Sequence, residues 1–337
     1  MDIGKLSQEL LDKYVLNVIG ARGVKRGETK TRAGFGEDCA VLDIGDEYLS
    51  VSSDPITAAE KNIGRLAVHV NANDIAASGC EPVGITITLL MPPGCKESDI
   101  ETIMNDTINA ANEIGVEIVG GHTEVTDAVN RPVISAAVFG KSAGKKFVSS
   151  SGAKTGQDLI MTKWAGLEGT AILADCAKDK LCAEFGVEFV MSALKRGGAL
   201  SVTRESRIAM TFGATAMHDV TEGGVFGACY EMAAAAKVGV EIFAENIPVL
   251  PETHAICDFM EINPFKLISS GSLLIAASEG EKLATLLLDR GVEAAVIGRF
   301  TPRADDRFVI FKNGRKKLER PAADEIYKAF GRLTRPG

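Results

Sequence analysis

The chain has 337 residues, of which 46% are hydrophobic, and its formal net charge at pH 7 is −8. Single hydrophobic cores stop growing near ~250–300 residues, so this length favours two domains, and the apolar content excludes a disordered chain. The acidic balance argues against a nucleic-acid-binding protein, because no excess of Lys and Arg is available to neutralise phosphates.

The cysteines and the N-terminus indicate a cytoplasmic protein. Seven cysteines occur, an odd number, and no two form a CxxC pair. This usage is typical of a reduced compartment rather than of a disulfide framework or a zinc site. The N-terminal stretch lacks the basic start and apolar core of a signal peptide. No apolar run approaches ~18 residues, so we expect no membrane span.

The first stretch predicts a helix and then a basic loop. Apolar residues repeat at helical spacing from Leu6 to Val18, and Gly20 is a stop signal. Residues 21–34 carry five basic residues and three glycines without an apolar period, which predicts a mobile loop. Two interpretations of this loop stay open: a solvated surface loop, which we favour, or a basic flap over phosphates.

Residues 34–56 predict a β-hairpin with acidic residues at both of its ends. The strands are CAVLDI and YLSVSS, with Gly45 and Asp46 as the turn. Glu37 and Asp38 precede the first strand and Asp54 follows the second, so the hairpin brings them together. Each alone is typical of a turn. Crowded carboxylates repel and need a cation or a proton between them, so together they favour a metal site.

The stretch HVNANDIAASGCEP, residues 69–82, combines polar and small residues. It predicts Asn71, Asn73 and Asp74 at the start of a short helix, within a helical region 61–79 that breaks near the asparagines. The small residues 76–79 leave room for another backbone. Asp74 is either a helix cap or a ligand for a cation, and the capping preference alone does not decide between them.

The first half ends with alternating strands and helices. Residues 83–92 predict a buried strand. The apolar spacing from Ile100 to Ala111 predicts a helix that stops near Gly115, and VEIVGGHTEV predicts a strand with a glycine turn. Paired glycines allow a ligand close approach to the backbone. The candidates here are Gly120, Gly121, Thr123 and Glu124, while His122 is more typical of a structural or surface histidine. Residues 132–141 predict the last strand of this half.

A Lys-, Ser- and Gly-rich segment, residues 141–156, separates the two halves. The second half predicts a strand DLIMTKW, helices up to residue 212, a strand NPFKLISSGSLLIAAS with a Ser/Gly turn inside it, a helix at 280–289, a strand GVEAAVIGRF and a charged tail. Between them, His218, Asp219, Thr221 and Glu222 precede Gly223-Gly224 and a helix. Such a helix N-terminus favours an anion, although a simple capped helix fits too. Both halves alternate strands and helices, which favours α/β or α+β layers with helices covering one face of each sheet.

Six blocks together resemble the aminoimidazole ribonucleotide synthetase-related (PurM-like) superfamily: GEDCAVL, SSDPI, VHVNANDIAASGCEP, VGGHTEV, HDVTEGGV and NPFKLISSGSLLIA. The resemblance spans residues 34–300. Within the superfamily it is strongest to the hydrogenase maturation factor HypE, because of the blocks VHVNANDIAA and HDVTEGG. It implies an α+β or α/β fold of two domains, residues 1–145 and 152–337. The first would hold a four-stranded sheet that closes a barrel across a homodimer, and the second would be an α/β layer.

The resemblance also implies ATP and Mg²⁺ as cofactors and assigns site residues. The implied metal ligands are Asp38, Asp54, Asp74 and Asp219. The implied catalytic residues are Asp74, His218 and Asp219. The implied nucleotide-binding residues are Asn71, Asn73, Gly120, Gly121, Thr123, Glu124, Thr221, Gly223 and Gly224.

Two departures from the family pattern affect the expected function. Glu37 stands where the family often has aspartate, and the tail RLTRPG lacks the cysteine with which HypE carries its nitrile. The favoured function is a Mg–ATP-dependent enzyme that phosphorylates a carbonyl or amide oxygen of a small or partner-borne substrate. The alternatives are a nucleotide-binding assembly factor that docks on a maturation partner, and a small-molecule kinase.

Overall fold

The computed structural model describes Leu6 and residues 8–57, 62–320 and 323–333, and it contains one sheet in each half of the chain. The first sheet has six strands: β1 Thr29–Thr31, β2 Ala40–Asp43, β3 Tyr48–Ile56, β4 Glu81–Met91, β5 Glu117–Val125 and β6 Val133–Lys141. Their order is β1-β2-β3-β6-β4-β5. β4 and β5 pair in parallel, and the other neighbours are antiparallel.

The second sheet has seven strands: β7 Asp158–Thr162, β8 Ala216–Val220, β9 Gly239–Phe243, β10 Ser272–Ala277, β11 Ala294–Thr301, β12 Arg307–Phe311 and β13 Gly314–Lys317. Their order is β13-β12-β9-β11-β7-β10-β8. β9 and β12 are parallel, and the remaining neighbours are antiparallel.

Helices connect and cover these strands. They are α1 Gln8–Leu11, α2 Asn17–Arg22, α3 Ile63–Ala77, α4 Glu97–Ile114, α5 Leu167–Cys176, α6 Lys178–Phe185, α7 Val187–Arg196, α8 Thr203–Phe212, α9 Gly224–Ala235, α10 Pro251–Phe259, α11 Gly280–Asp289 and α12 Glu325–Leu333. A π-helical turn, Asp12–Leu16, joins α1 to α2, and 3₁₀ turns lie at Ser150–Gly152, Ala244–Asn246 and Pro264–Lys266. Among the described residues, none of these helices has the length and apolar character of a transmembrane span.

The predicted hairpin, the helix that ends at Gly115 and most strands are present, but several expectations are wrong. α3 runs unbroken through the asparagines, and its predicted start at residue 61 lies outside the described residues. The first sheet has six strands instead of four, because β1 and β5 extend its two edges. Part of the basic loop is β1, and the NPFK segment is a 3₁₀ turn. The domain boundaries stay a prediction.

Hydrophobic clusters place the core between sheets and helices. α3 and α4 cover one face of the first sheet. The second sheet is covered on both faces, contrary to the expectation of one: Leu159 and Met161 of β7 pack with the cluster that includes α9, whereas Ile160 packs with α8 and α11. Successive side chains of a strand point to opposite faces, so a strand buried on both faces is apolar throughout.

Glu168 and Asp324 are among the carboxyl groups that are buried in the second half. Glu168, in the first turn of α5, is 7% exposed, and Asp324, immediately before α12, is 2% exposed. Burial raises the pKa of Glu168 to about 7, opposed by a hydrogen bond from Ser270 and reinforced by the charge of Asp324. Burial likewise raises the pKa of Asp324 to about 6, against backbone N–H donors. The fold therefore favours the protonated form of Glu168.

We predict that Glu168→Gln removes a pH-dependent contribution to stability. A carboxyl whose pKa is raised by folding stabilises the fold when protonated, and this contribution is lost as pH rises from its unfolded pKa through its folded pKa. For Glu168 that window runs from 4.5 to about 7, which corresponds to about 3 kcal/mol. Denaturant unfolding between pH 4.5 and 8 should show the wild type losing stability relative to the variant.

Glu188→Gln is the matched control, because Glu188 is exposed on α7. Its free energy of unfolding should follow the wild type at every pH. A parallel pH dependence of wild type and Glu168→Gln would contradict the assignment.

Candidate functional site

A cluster of acidic residues and one histidine forms where elements of both halves meet. Asp38 lies in the segment before β2, and His218 and Asp219 lie on β8. One potential ligand atom from each of these three residues lies within 4.8 Å of the others. The sequence prediction that the GEDCAVL and HDVTEGG blocks share one site therefore agrees with their placement.

His218 lies between two carboxylates. Its Nδ1 is 2.7 Å from Asp38 Oδ1, and its Nε2 is 3.2 Å from Glu231 Oε2. The Ser150 hydroxyl also lies 3.2 Å from Nδ1. Burial alone would lower the pKa of His218, but the charges and hydrogen bonds of Asp38 and Glu231 outweigh it and raise this pKa well above its ordinary value. An imidazolium between two carboxylates orients Asp38 and offsets part of the negative charge.

Asp74 adds a buried carboxyl group from α3. Burial raises its pKa well above the ordinary value, and the charges of Asp219, Asp54 and Asp38 raise it further. The Ser52 hydroxyl lies 2.5 Å from Asp74 Oδ2 and opposes this rise. Carboxylates that repel each other in a buried place become stable when a cation lies between them. Carboxylate oxygens of this kind suit a hard cation such as Mg²⁺. Asp38 and Asp219 have ligand atoms in the converging group, and Asp74 lies close enough for their charges to raise its pKa.

Asp54 completes the acidic group from the end of the hairpin, and Asn71 holds it there. The Asp54 N–H donates to Asn71 Oδ1 at 2.7 Å, and Asn71 Nδ2 donates to the carbonyl oxygens of Asp54 and Ala67 at 3.3 and 2.9 Å. These bonds use both ends of the Asn71 amide. Asn71 therefore positions β3 on α3, and its binding of the nucleotide stays a prediction.

Asn73 joins the two halves of the chain. Its Nδ2 donates to the Leu200 carbonyl at 2.8 Å, and the Val202 N–H donates to its Oδ1 at 2.9 Å. Asn73 is fully buried, so its amide is likewise occupied by backbone groups rather than facing a ligand. Asp74 follows directly in α3, so the bonds of Asn73 fix the second half beside the acidic residue. Neither asparagine caps a helix, because both lie in the second half of α3.

The structure gives the Gly223-Gly224 turn a packing role. A Cβ on Gly224 would lie 2.7 Å from the carbonyl oxygens of Phe265 and Leu267, and its φ is +62°. The Gly223 N–H donates to Asp324 Oδ2 at 2.7 Å, so the predicted anion at the α9 N-terminus is a carboxylate of this chain. Thr221 lies partly buried in the turn between β8 and α9.

The second glycine pair lies in a strand rather than in a turn. Gly120, Gly121, Thr123 and Glu124 belong to β5, where they are exposed at the edge of the first sheet. A Cβ on Gly121 would lie 1.9 Å from the Ile87 carbonyl oxygen, so close pairing with β4 requires glycine. His122 and Glu124 form an exposed pair at 3.1 Å. These residues are not members of the Asp38–His218–Asp219 cluster.

A small recess opens beside Asp38, lined in part by Thr31, Glu37, Cys39 and Ser149. Burial raises the pKa of Glu37, opposed by a hydrogen bond with Ser151. Glu37 thus lies beside the acidic cluster without being a member of the three-residue ligand set. Its role as a ligand remains an open hypothesis.

Sequence reasoning missed three residues that contact the predicted site: Ser52, Ser150 and Glu231. Ser52 is part of the quoted SSDPI block, and alternation along β3 places it on the face of the hairpin that turns inward. Glu231 lies two turns into α9, and Ser150 lies in the linker. The sequence carries no local signal for these two contacts, because each depends on tertiary packing.

Two family models match the chain. The N-terminal domain of AIR synthase related proteins matches residues 36–142, and the C-terminal domain matches residues 154–311. The chain belongs to the AIR synthase-related family. This match confirms the resemblance seen in the sequence blocks and the two-domain mixed α/β fold. The barrel across a dimer stays a prediction.

Two proteins similar to this chain are named for roles in hydrogenase maturation. A Methanocaldococcus jannaschii protein, provisionally named a hydrogenase expression/formation protein, is 27% identical over 332 residues and covers 96% of each chain. The carbamoyl dehydratase HypE of Rhizobium leguminosarum is 29% identical over 255 residues, 74% of this chain and 70% of the relative.

Solved structures share the fold. A HypE–HypF complex matches with a TM-score of 0.76 and 22% identity, over 93% of this chain and 99% of the matched chain. HypE in complex with ATP matches with a TM-score of 0.72 and 21% identity, over 96% of this chain and 97% of the matched chain.

We predict that Asn73→Ala destabilises the contact between the two halves. The substitution leaves the buried Leu200 carbonyl and Val202 N–H without the partners that Asn73 supplies, and each lost partner costs about 1–3 kcal/mol. We expect the free energy of unfolding in urea to fall by about 2–4 kcal/mol. Asn109→Ala, at an exposed position of α4, should change it by less than about 0.5 kcal/mol. Equal effects of the two substitutions would disprove the joining role of Asn73.

Proposed function

We propose that this protein binds Mg–ATP at the group formed by Asp38, Asp54, Asp74 and Asp219, and that it uses ATP to phosphorylate a carbonyl or amide oxygen. The observation that carries this proposal is the convergence of carboxylates from both halves, with the pKa of Asp74 raised by burial and further by the charges of its neighbours. Mg²⁺ needs only a few carboxylate oxygens besides phosphates and water. The relative named carbamoyl dehydratase and the HypE structure with ATP support the nucleotide and the reaction class.

An ATP-driven amide dehydration has two steps, phosphorylation of the amide oxygen and loss of the phosphate. The amide oxygen attacks the γ-phosphorus, the bond from this phosphorus to the β–γ bridging oxygen breaks, and ADP leaves. The phosphorylated oxygen then departs as phosphate while the nitrogen releases its two protons, which leaves a nitrile. Most of the protein's contribution to such a reaction is positioning and charge neutralisation.

In this proposal the residues of the chain have distinct roles. Asp38 and Asp219 hold the metal from two elements, and Asp74 joins them after losing its proton. His218, between Asp38 and Glu231, keeps Asp38 oriented, and Asn71 fixes Asp54. A bound Mg²⁺ would neutralise the phosphate charge during transfer. The nucleotide would be bound from β5 by Gly120, Gly121, Thr123 and Glu124. Thr221 would bind it from the β8–α9 turn.

The acceptor in this proposal is a small amide or an amide carried by a protein partner in the cytoplasm. The HypE–HypF complex supports the class of partner, because one structural neighbour is known in such an assembly. The same observation favours a second candidate, a nucleotide-binding assembly factor with little catalysis of its own. Steady ADP production by the purified protein with a small amide would favour the enzyme, and binding of ATP without cleavage would favour the assembly factor.

We predict that Asp74→Asn weakens Mg–ATP binding at least about tenfold, since even changes around metal ligands typically cost 10–100-fold. Without metal, the variant should melt no lower than the wild type, because the amide replaces a buried carboxyl group whose ionisation is opposed by burial and by the neighbouring carboxylates. Titration calorimetry with and without Mg²⁺ measures the first effect, and a thermal melt measures the second.

Asp46→Asn, in the exposed hairpin turn, is the control and should bind as the wild type does. Unchanged affinity in Asp74→Asn, or binding of ATP that does not need a metal, would rule out the proposed site.

We further propose a homodimer that forms through the first sheet. The edge strand β5 is exposed, with Val119 and Val125 54% and 59% exposed, and such an edge favours pairing with another chain. Sedimentation at micromolar concentration should show a dimer, and Val119→Lys with Val125→Lys should shift it to monomer. Val187→Lys, at a 61% exposed position of α7, should leave the dimer intact. A monomeric wild type would contradict this proposal.

A further inference from the structure

Asp324 connects the C-terminal helix to the turn that follows the acidic cluster. Its Oδ2 accepts from the Gly223 N–H at 2.7 Å, and its Oδ1 accepts from the Ile326 N–H at 2.8 Å. Asp324 is 2% exposed. Both carboxylate oxygens are thus occupied by backbone donors of two different elements, one at the start of α9 and one at the start of α12.

α12 is anchored independently of this contact. Ile326 and Ala329 are buried in a cluster with α5, α6, α7 and α10. Glu325 accepts from the Asn263 N–H at 3.2 Å, and Arg332 forms an ion pair with Glu261 at 2.6 Å. The packing of α12 on the second half therefore fixes the position of Asp324. Because Asp324 does not move, its hydrogen bond from Gly223 restrains the turn.

The turn is short and leads directly from the cluster to α9. His218 and Asp219 are on β8, which ends at Val220, and α9 begins at Gly224. The Gly224 N–H donates to Thr221 O, and the Gly227 N–H donates to Gly223 O. Glycines at 223 and 224, with φ of +90° and +62°, give this segment little intrinsic stiffness. An outside contact is needed to hold it in one conformation.

The geometry points to Asp324 as a positioning residue for the Mg–ATP site: its carboxylate holds the 221–224 turn through the Gly223 amide and thereby keeps Asp219 and His218 in place. The second part of this inference, that Asp324 keeps Asp219 and His218 in place for Mg–ATP, rests on the proposed function. Its first part, that Asp324 orders the turn, is independent of any ligand. A carboxylate at the N-terminus of α9 is also favoured by the helix dipole.

The test compares Asp324→Asn with Glu325→Gln in the full-length protein at pH 8. Both variants remove one charge at the start of α12, but Glu325 contacts Asn263 and does not contact the turn. Hydrogen–deuterium exchange of the peptide that contains residues 221–224 should quicken at least about tenfold in Asp324→Asn and stay unchanged in Glu325→Gln. The Mg–ATP dissociation constant should rise about tenfold in the first variant only, as is typical of changes behind a metal ligand.

Each other outcome is decisive. Wild-type exchange in Asp324→Asn, or equal quickening in both variants, overturns the ordering role, and faster exchange with unchanged Mg–ATP affinity overturns the link to the site. If the wild type itself takes up no Mg–ATP, the proposed function fails, while the exchange result still decides whether Asp324 holds the turn. Asp324→Ser, whose shorter side chain can cap α12 but does not reach Gly223, replaces Asp324→Asn if the latter does not fold, and is expected to quicken exchange of the turn in the same direction.

Discussion

Mutual repulsion among carboxylates is the constraint on which the rest of the site depends. Asp74 is buried with the charges of Asp219, Asp54 and Asp38 close enough to raise its pKa. Such a group is stable only with a shared proton, a neighbouring cation or a bound metal. The chain supplies one cation itself in His218, which contacts Asp38 and Glu231. A single imidazolium does not balance four aspartates and Glu231, so the site retains an excess of negative charge that a divalent ion would neutralise.

α3 is the element that makes this crowding possible. Three of its residues make separate contacts. Asn71 binds the backbone of Asp54, and Asn73 binds the backbone of residues 200 and 202. Asp74 adds its carboxyl group to the acidic group. Small residues at its end let the second half pack closely, as the bond from Ser206 Oγ to the Ala76 carbonyl at 2.5 Å shows. One rigid helix therefore sets the distances among groups that would otherwise move apart.

The sequence was sufficient for the parts of this arrangement that depend on local pattern. The hairpin, the apolar strands and the helix that ends at Gly115 follow from periodicity and turn residues, and the acidic blocks could be assigned to one site by family resemblance. The roles of Asn71 and Asn73 could not be read in this way, because an asparagine has the same propensity whether its amide faces a ligand or a buried carbonyl. Glu231 and Asp324 were missed for a related reason, since their contacts with His218 and Gly223 form only when α9 and α12 pack against the rest of the second half.

The contact of Asp324 with Gly223 also constrains how a nucleotide can be bound. A helix N-terminus can bind phosphate directly through its free N–H groups, but at α9 a carboxylate of the chain already accepts from Gly223. The carboxylates of the cluster outnumber its one cation, His218, and they would repel phosphate. Under the proposed function, ATP would therefore approach Asp38 and Asp219 only with a cation between the carboxylates and the phosphates. The metal would then be a requirement for nucleotide binding, before it contributed anything to the transfer of the phosphoryl group.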